Sequence, residues 1–438
     1  MLLCNVSDGM PDPDCRCFRS FFTYLLLYFF LLPILLKAYM TTNVINSSSQ
    51  QLTFLSILVL GAIAALTPLA IDMYLPAMPE IARDLMASPG QVQRTLTAYT
   101  AGFAIGQLIH GPISDSYGRR PVLIVGVFMF LIGTIVSANA IDISTLTYVR
   151  SAQGFCGAAS AVVIQALVRD MFDREDFART ISFITLVMTV APLIAPLMGG
   201  YLSLWFGWRS IFWVLAIFAV LVIVLIVIFI PETLSVEHRP PLRIGSTLRN
   251  YLKILRSRSA VSYIMASSFS FAGMFSFLTA GSFVYIDYYG VSVQNFGYFF
   301  SLNVVCLIIM TALNGKFVRK VGSDNMLKFG LILQLIAGVV LIICQFMEWG
   351  LWGTVIPIML FMGTISIVAS NSMACVLNAY PEFAGTASSL AGTMRFGTGT
   401  IVGTIVTSIS VESVWPMTGS IAICAILSAI FYWVMSRK

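Results

Sequence analysis

Four ionisable side chains interrupt long apolar runs of this chain: Asp72, Arg150, Asp287 and Arg395. A charge at membrane depth is costly, and a chain that keeps one generally uses it. Asp72 lies seven residues before Pro79, about 10 Å along a helix. Arg150 lies eight residues after Asp142, about 12 Å along its own helix. The two opposite charges therefore reach similar depth. A carboxylate facing a cavity can take up and release a proton, with burial and a nearby cation pulling its affinity in opposite directions. Moving one charge through the membrane potential is worth roughly 2.3 kcal/mol per 100 mV, so one reversible carboxylate suffices to couple proton movement to other work. A static ion pair joining two helices is the alternative. Arg395 reads either as cavity lining or as a structural pairing partner. Asp287, near the end of its run, reads as solvated.

The elements that hold these residues must be apolar helices. Of 438 residues, 58% are hydrophobic and 10% charged, against about 25% charged in an average soluble domain. A large soluble enzyme, a disordered chain and a secreted disulfide scaffold are excluded. Runs near 20 residues without ten-residue alternation exclude an outer-membrane barrel. The two histidines, His110 and His238, and the absence of a CxxC pair among eight cysteines give no metal or redox centre. No cofactor, no nucleophile–base pair and no nucleic-acid partner is expected, so the chain does not read as an enzyme.

Twelve apolar segments follow from Leu52 onward, at about 54–79, 94–113, 121–140, 142–167, 180–204, 209–230, 261–287, 295–313, 326–346, 350–377, 383–408 and 415–435. The basic, Pro-containing stretch 231–260 divides them into a six-helix bundle at 40–230 and another at 261–438. The halves echo each other: Ile71-Asp72-Met73-Tyr74 closes segment one, and Ile286-Asp287-Tyr288-Tyr289 closes segment seven. A duplicated six-helix unit places a substrate cavity between the halves. The fold class expected is an all-α membrane protein of twelve transmembrane helices in two pseudo-symmetric bundles.

Lys and Arg set the orientation. Seventeen fall in the even-to-odd loops and at the C-terminus, and three (Arg83, Arg94 and Arg209) in the opposite loops. The positive-inside rule then puts the C-terminus in the cytoplasm. A sixteen-residue apolar run from Phe21 to Leu36 would invert every later loop if it spanned. Residues 1–39 therefore read as a preamble outside the native chain, with Met40 as the start.

Segments four and eleven carry small residues that let backbones approach closely, including Gly399 and Gly403 in GxxxG spacing. In segment five, Pro192 and Pro196 lie one turn apart and precede Gly199-Gly200. Two prolines bend a helix, and a bend at the interface of the halves would control which side opens.

At these residues the chain resembles the major facilitator superfamily, and within it the Bcr/CflA subfamily of drug:proton antiporters. The stretches AIDMYLPAMP, GQLIHGPISDSYGRRP, APLIAPLMGG, SFSFAGMFSFLTAGSFVYI and AGTASSLAGTMRFG carry the resemblance, which runs from Met40 to Lys438. The family's loop motif falls on Gly111, Asp115, Gly118, Arg119 and Arg120, with Ser116 in place of its basic residue. The resemblance makes this loop a conformational latch, in which Asp115 would meet the N-terminal end of segment eleven and Arg119 would pair with Asp170. The family's proton-coupling arginine motif falls on Arg150, Gln153, Gly154 and Ala158. Its antiporter motif falls on Pro196, Gly199 and Gly200, with Ala195 replacing the first glycine. The family's helix-one acid falls on Asp72.

The resemblance implies proton-driven efflux of drug-like small molecules by alternating access in a bacterial inner membrane. The partners implied are a drug substrate, protons and the lipid bilayer, for a monomeric chain. Candidate cavity walls are Tyr74, Met274, Phe275, Phe277, Arg395 and Phe396. Metabolite export with resistance as a side activity, and proton-coupled import on the same fold, are the alternatives.

Overall fold

A computed structural model describes residues 48–171, 174–234, 239, 244–379, 384–409 and 413–435. Residues 1–39 lie outside the described residues. The chain divides at Leu55–Ser56, and the unit from Ser56 onward carries the helical bundles.

Twelve helices of twenty residues or more occur among the described residues. The first six are α1 Ser48–Asp72, α2 Pro89–Tyr117, α3 Arg119–Ala138, α4 Ile143–Met171, α5 Arg174–Phe206 and α6 Arg209–Phe229. The second six are α7 Arg258–Ser282, α8 Val293–Val321, α9 Ser323–Phe346, α10 Gly350–Ala379, α11 Ala384–Ser408 and α12 Trp415–Met435. They match the twelve apolar segments with shifts at the ends. Segment eight runs eight residues further, to Val321, and in segment one the helix stops early, at Asp72. A short turn at Leu75–Ala77 and a seven-residue helix at Met78–Asp84 continue it.

Local chemistry sets several ends. Ser88 and Gln91 form a reciprocal capping box at the start of α2. Asp142 accepts from the Thr145 amide at 2.8 Å and caps α4. Ser257 and Ser292 cap α7 and α8 in the same way. Gly118 joins α2 to α3 at φ 105°, and Gly322 joins α8 to α9 at φ 85°. Only glycine takes that backbone without strain. The same turn at the same place in both halves is structural support for the duplication that the sequence suggested.

The packing repeats as well. In the first bundle α4 lies against α2 and α3, and α3 against α6. In the second, α10 lies against α8 and α9, and α9 against α12. Two crossings join the bundles, α2 on α11 and α5 on α8. Among the described residues, ten of the twelve helical spans are long and apolar enough to cross a membrane. The two that fall short are α2 and α11, which pack on each other. Their polar residues face a protein neighbour there, so lipid contact does not demand a uniformly apolar surface.

Candidate functional site

Arg150 is fully buried. Its Nη1 donates to Gln153 Oε1 at 2.8 Å, and its Nη2 donates to the Ala70 carbonyl at 3.1 Å. The guanidinium carbon lies 4.4 Å from the Tyr99 ring centre, 4.8 Å from Tyr74 and 5.9 Å from Phe212. A cation over aromatic faces in a dry site is stabilised by the ring quadrupoles. Four helices and a turn build this cage: α2 gives Tyr99, α4 gives Arg150 and Gln153, α6 gives Phe212, the end of α1 gives Ala70, and the turn after α1 gives Tyr74. Gln153 in turn donates to Thr134 Oγ1 of α3 at 2.7 Å, and Tyr74 shares a 2.6 Å bond with Thr95.

Asp72 is 6% exposed. It stands two residues beyond the carbonyl that Arg150 holds, yet the two charges form no ion pair. Among the described residues no basic group lies within 4.0 Å of the Asp72 carboxylate. The static pair, one of the two readings of these residues, is absent. The arginine spends its donors on a glutamine and a carbonyl, and its faces on aromatic rings.

A second group lies where the bundles meet. Phe396 of α11 sits 4.5 Å from Phe103 of α2 and 4.8 Å from Phe271 of α7, centre to centre. Phe275 stacks 6.2 Å from Phe271. Arg395 donates through Nε to Ser267 Oγ at 3.4 Å and through Nη2 to the Ala369 carbonyl at 3.2 Å. Met274 is half-buried. Two of the expected cavity residues sit elsewhere. Tyr74 is part of the Arg150 cage, and Phe277 is buried against Tyr285 and Phe300 inside the second bundle. Asp287 is exposed, as its place near the end of its apolar run suggested.

The sequence pattern of the Major Facilitator Superfamily matches residues 60–404. The chain belongs to the major facilitator superfamily. It is 41% identical over 391 residues to a bicyclomycin resistance protein homolog of Haemophilus influenzae, covering 89% of this chain and 98% of that protein. It is 26% identical over 365 residues to multidrug resistance protein D of Escherichia coli, covering 83% and 89%. A crystal structure of a D-xylose-proton symporter superposes with TM-score 0.69 at 14% identity, covering 87% of this chain and 97% of that one. A bacterial homolog of the lysosomal transporter Spinster superposes with TM-score 0.67 at 14% identity, covering 89% and 98%. At that identity the two structures show the shared fold alone.

In this major-facilitator chain the loop between α2 and α3 is a network around Arg119. Its guanidinium pairs with Asp115 and with Asp170 Oδ2, the latter at 3.3 Å, and donates to Ser114 Oγ at 2.9 Å. Asp115 thus has a partner in its own bundle, and residues 380–383, which lead into α11, lie outside the described residues. The Arg119 amide donates to Glu232 Oε1 at 3.0 Å, and Arg239 pairs with Glu232 at 3.6 Å. Thr233 donates to Asp170 Oδ2 at 3.2 Å. Arg120 donates to the Val227 carbonyl at 2.7 Å. Gly111 has room around it, with Val162 the nearest neighbour at 3.8 Å from a built Cβ. Sequence reasoning missed Glu232, Thr233 and Arg239. The acid shortly after α6 facing an arginine-rich loop was the available signal.

Helix α5 carries Pro192 and Pro196 in one continuous helix of 33 residues. A Cβ on Gly199 would come within 2.0 Å of the Met73 carbonyl, and one on Gly200 within 3.1 Å of the Val293 carbonyl. The glycine pair thus seats α5 against the end of α1 on one side and the start of α8 on the other. Ser301 of α8 donates to the Leu193 carbonyl at 3.0 Å.

Proposed function

We propose that the chain is a proton-driven exporter of drug-like small molecules, bicyclomycin-type antibiotics among them, working by alternating-access antiport. The observation that carries this reading is the buried Asp72 carboxylate, without a counter-ion among the described residues, near the caged Arg150. A carboxylate neutralised by a direct salt bridge would have no reason to exchange its proton. One left unpaired, with a fixed positive charge near it, can load and unload as its access to water changes. The names of the relatives, bicyclomycin and multidrug resistance proteins, support the drug reading. The Arg-rich loops support a bacterial inner-membrane protein with a cytoplasmic C-terminus.

In this mechanism cargo reaches the central site from the cytoplasm or inner leaflet, and proton uptake at Asp72 competes with it. The bundles then rock about the α2–α11 and α5–α8 crossings. The Asp115–Arg119–Asp170–Glu232 network acts as the latch of the first bundle, and the Pro192–Gly200 stretch sets the bend about which α5 moves. The chain works as a monomer with protons, cargo and lipid as its partners.

The deciding experiment is drug-driven proton release from reconstituted vesicles, wild type against Asp72→Asn. The wild type should release protons when drug is added, and the variant should not. Normal uphill pumping by Asp72→Asn would remove the coupling role, and wild-type drug movement without protons would remove antiport.

A further inference from the structure

Arg395 occupies the middle of α11, eleven residues from Ala384 and thirteen from Ser408. That is about 17 Å and about 20 Å from the helix ends. No other charged residue of the described helices lies so far from both ends of its helix. Its two bonds are to neutral oxygens and both are long, 3.4 Å to Ser267 Oγ and 3.2 Å to the Ala369 carbonyl. No acid of the described residues lies within 4.0 Å of it. The side chain is only half-buried, so the guanidinium also borders accessible space. An arginine at this depth is costly unless something compensates it.

The surroundings suggest what would compensate it. The next residue, Phe396, forms one aromatic wall with Phe103 and Phe271, so rings from α2, α7 and α11 meet there. Ser267 and Phe271 lie one turn apart on α7, so a five-donor fork and an aromatic wall lie side by side where the bundles join. Charge favours one sign of guest as well. Arg395 is the charge beside this wall, and the nearest oxygens it holds are neutral.

We propose that Arg395 anchors the cargo, and that the cargo class is a small flat-ring molecule bearing a carboxylate or carbonyl acceptors. The acceptor sits on the guanidinium, and the ring lies along Phe271, Phe396 and Phe103. Organic cations are excluded by the positive site. This inference rests on the transport reading above. Its rival is a purely structural Arg395 that ties α11 to α7 and α10.

The test uses the purified full-length protein in lipid nanodiscs and three probes with one ring: 2-naphthoate, 2-naphthamide and 2-naphthyltrimethylammonium, titrated by calorimetry. Wild type should bind naphthoate best, the amide next and the ammonium least. Arg395→Gln should weaken naphthoate about tenfold or more, the size of a lost charge-assisted bond, while the amide moves little. Arg395→Lys should keep the preference for the carboxylate. Tightest binding of the ammonium, no binding of naphthoate, or an unchanged carboxylate preference in Arg395→Gln would overturn the proposal. Equal loss of naphthoate and amide in both variants would also overturn it, in favour of the structural role. Drug-driven proton release in vesicles is scored separately. Release with a cation-selective probe order sinks the Arg395 site and leaves efflux standing. No release sinks antiport, whatever the probes do.

Discussion

At the scale of single residues, the central finding is how Arg150 is held. A guanidinium offers five donors and two flat faces, and a lysine offers neither the fork nor the faces. Arg150 uses both features, the fork on Gln153 and Ala70 and the faces on Tyr74 and Tyr99. Arg150→Lys should therefore lower vesicle transport at least about tenfold while the protein still reaches the membrane. Retained transport in the lysine variant would mean that positive charge alone is needed. Gln153→Leu tests the support of the cage. It should impair transport less than Arg150→Lys, because Ala70 and the rings remain.

At the scale of elements, close approach and capping decide. Gly199 lies so near Met73 that a methyl group there would strike backbone, whereas at Gly200 the neighbour needs to yield only slightly. Gly199→Ala should cost much more transport than Gly200→Ala, measured as uptake into everted vesicles at matched protein amounts. Equal tolerance at both sites would show that α5 does not seat on α1 during the cycle. The cap of α4 makes a pH-dependent prediction. Hydrogen bonds from the Thr145 hydroxyl and amide hold the Asp142 carboxylate below its usual range. A depressed folded-state value adds stability above the unfolded value of about 3.9, and that stability fades as pH falls through the folded value. Asp142→Ala should thus lower Tm at pH 7, with the gap to wild type closing below about pH 4. A gap that persists undiminished at low pH would assign it to something other than the charged cap.

At the scale of the whole molecule, the bundles meet along α2 and α11 from Gly90 beside Thr407 to Gln107 beside Ser389. Thr100 and Thr400 share a 3.0 Å bond across this seam. In a cysteine-free background, Thr100→Cys with Thr400→Cys should cross-link on oxidation and stop transport, and a reductant should restore it. Continued transport by the cross-linked protein would exclude rocking about this seam. The linker helix Ile244–Leu255 adds to the same region. Tyr251 and Ile254 are buried with Leu390 and Ala391 of α11. The stretch that divides the chain into halves is thereby also packed onto one of the helices that join them.

Sequence by itself determined the class and the twelve helices. Those properties are sums along one chain: apolar length, loop charge and rise per residue. It also suggested the duplication, through a four-residue echo at the ends of segments one and seven, and the paired glycine turns at Gly118 and Gly322 are separate structural support for it. What only the tertiary structure decided is which groups meet. Equal depth left Asp72 and Arg150 as candidate partners, but pairing depends on how each helix is rotated, and that is fixed by packing against several neighbours at once. The same holds for Phe277, which the sequence could not distinguish from Phe275 two residues earlier. One is buried among rings of its own bundle, and the other stacks beside Phe271 at the seam. Glu232 was hidden for a related reason. It is 113 residues from the arginine it serves, so its place after α6 could suggest a partner among the basic loops but not which one.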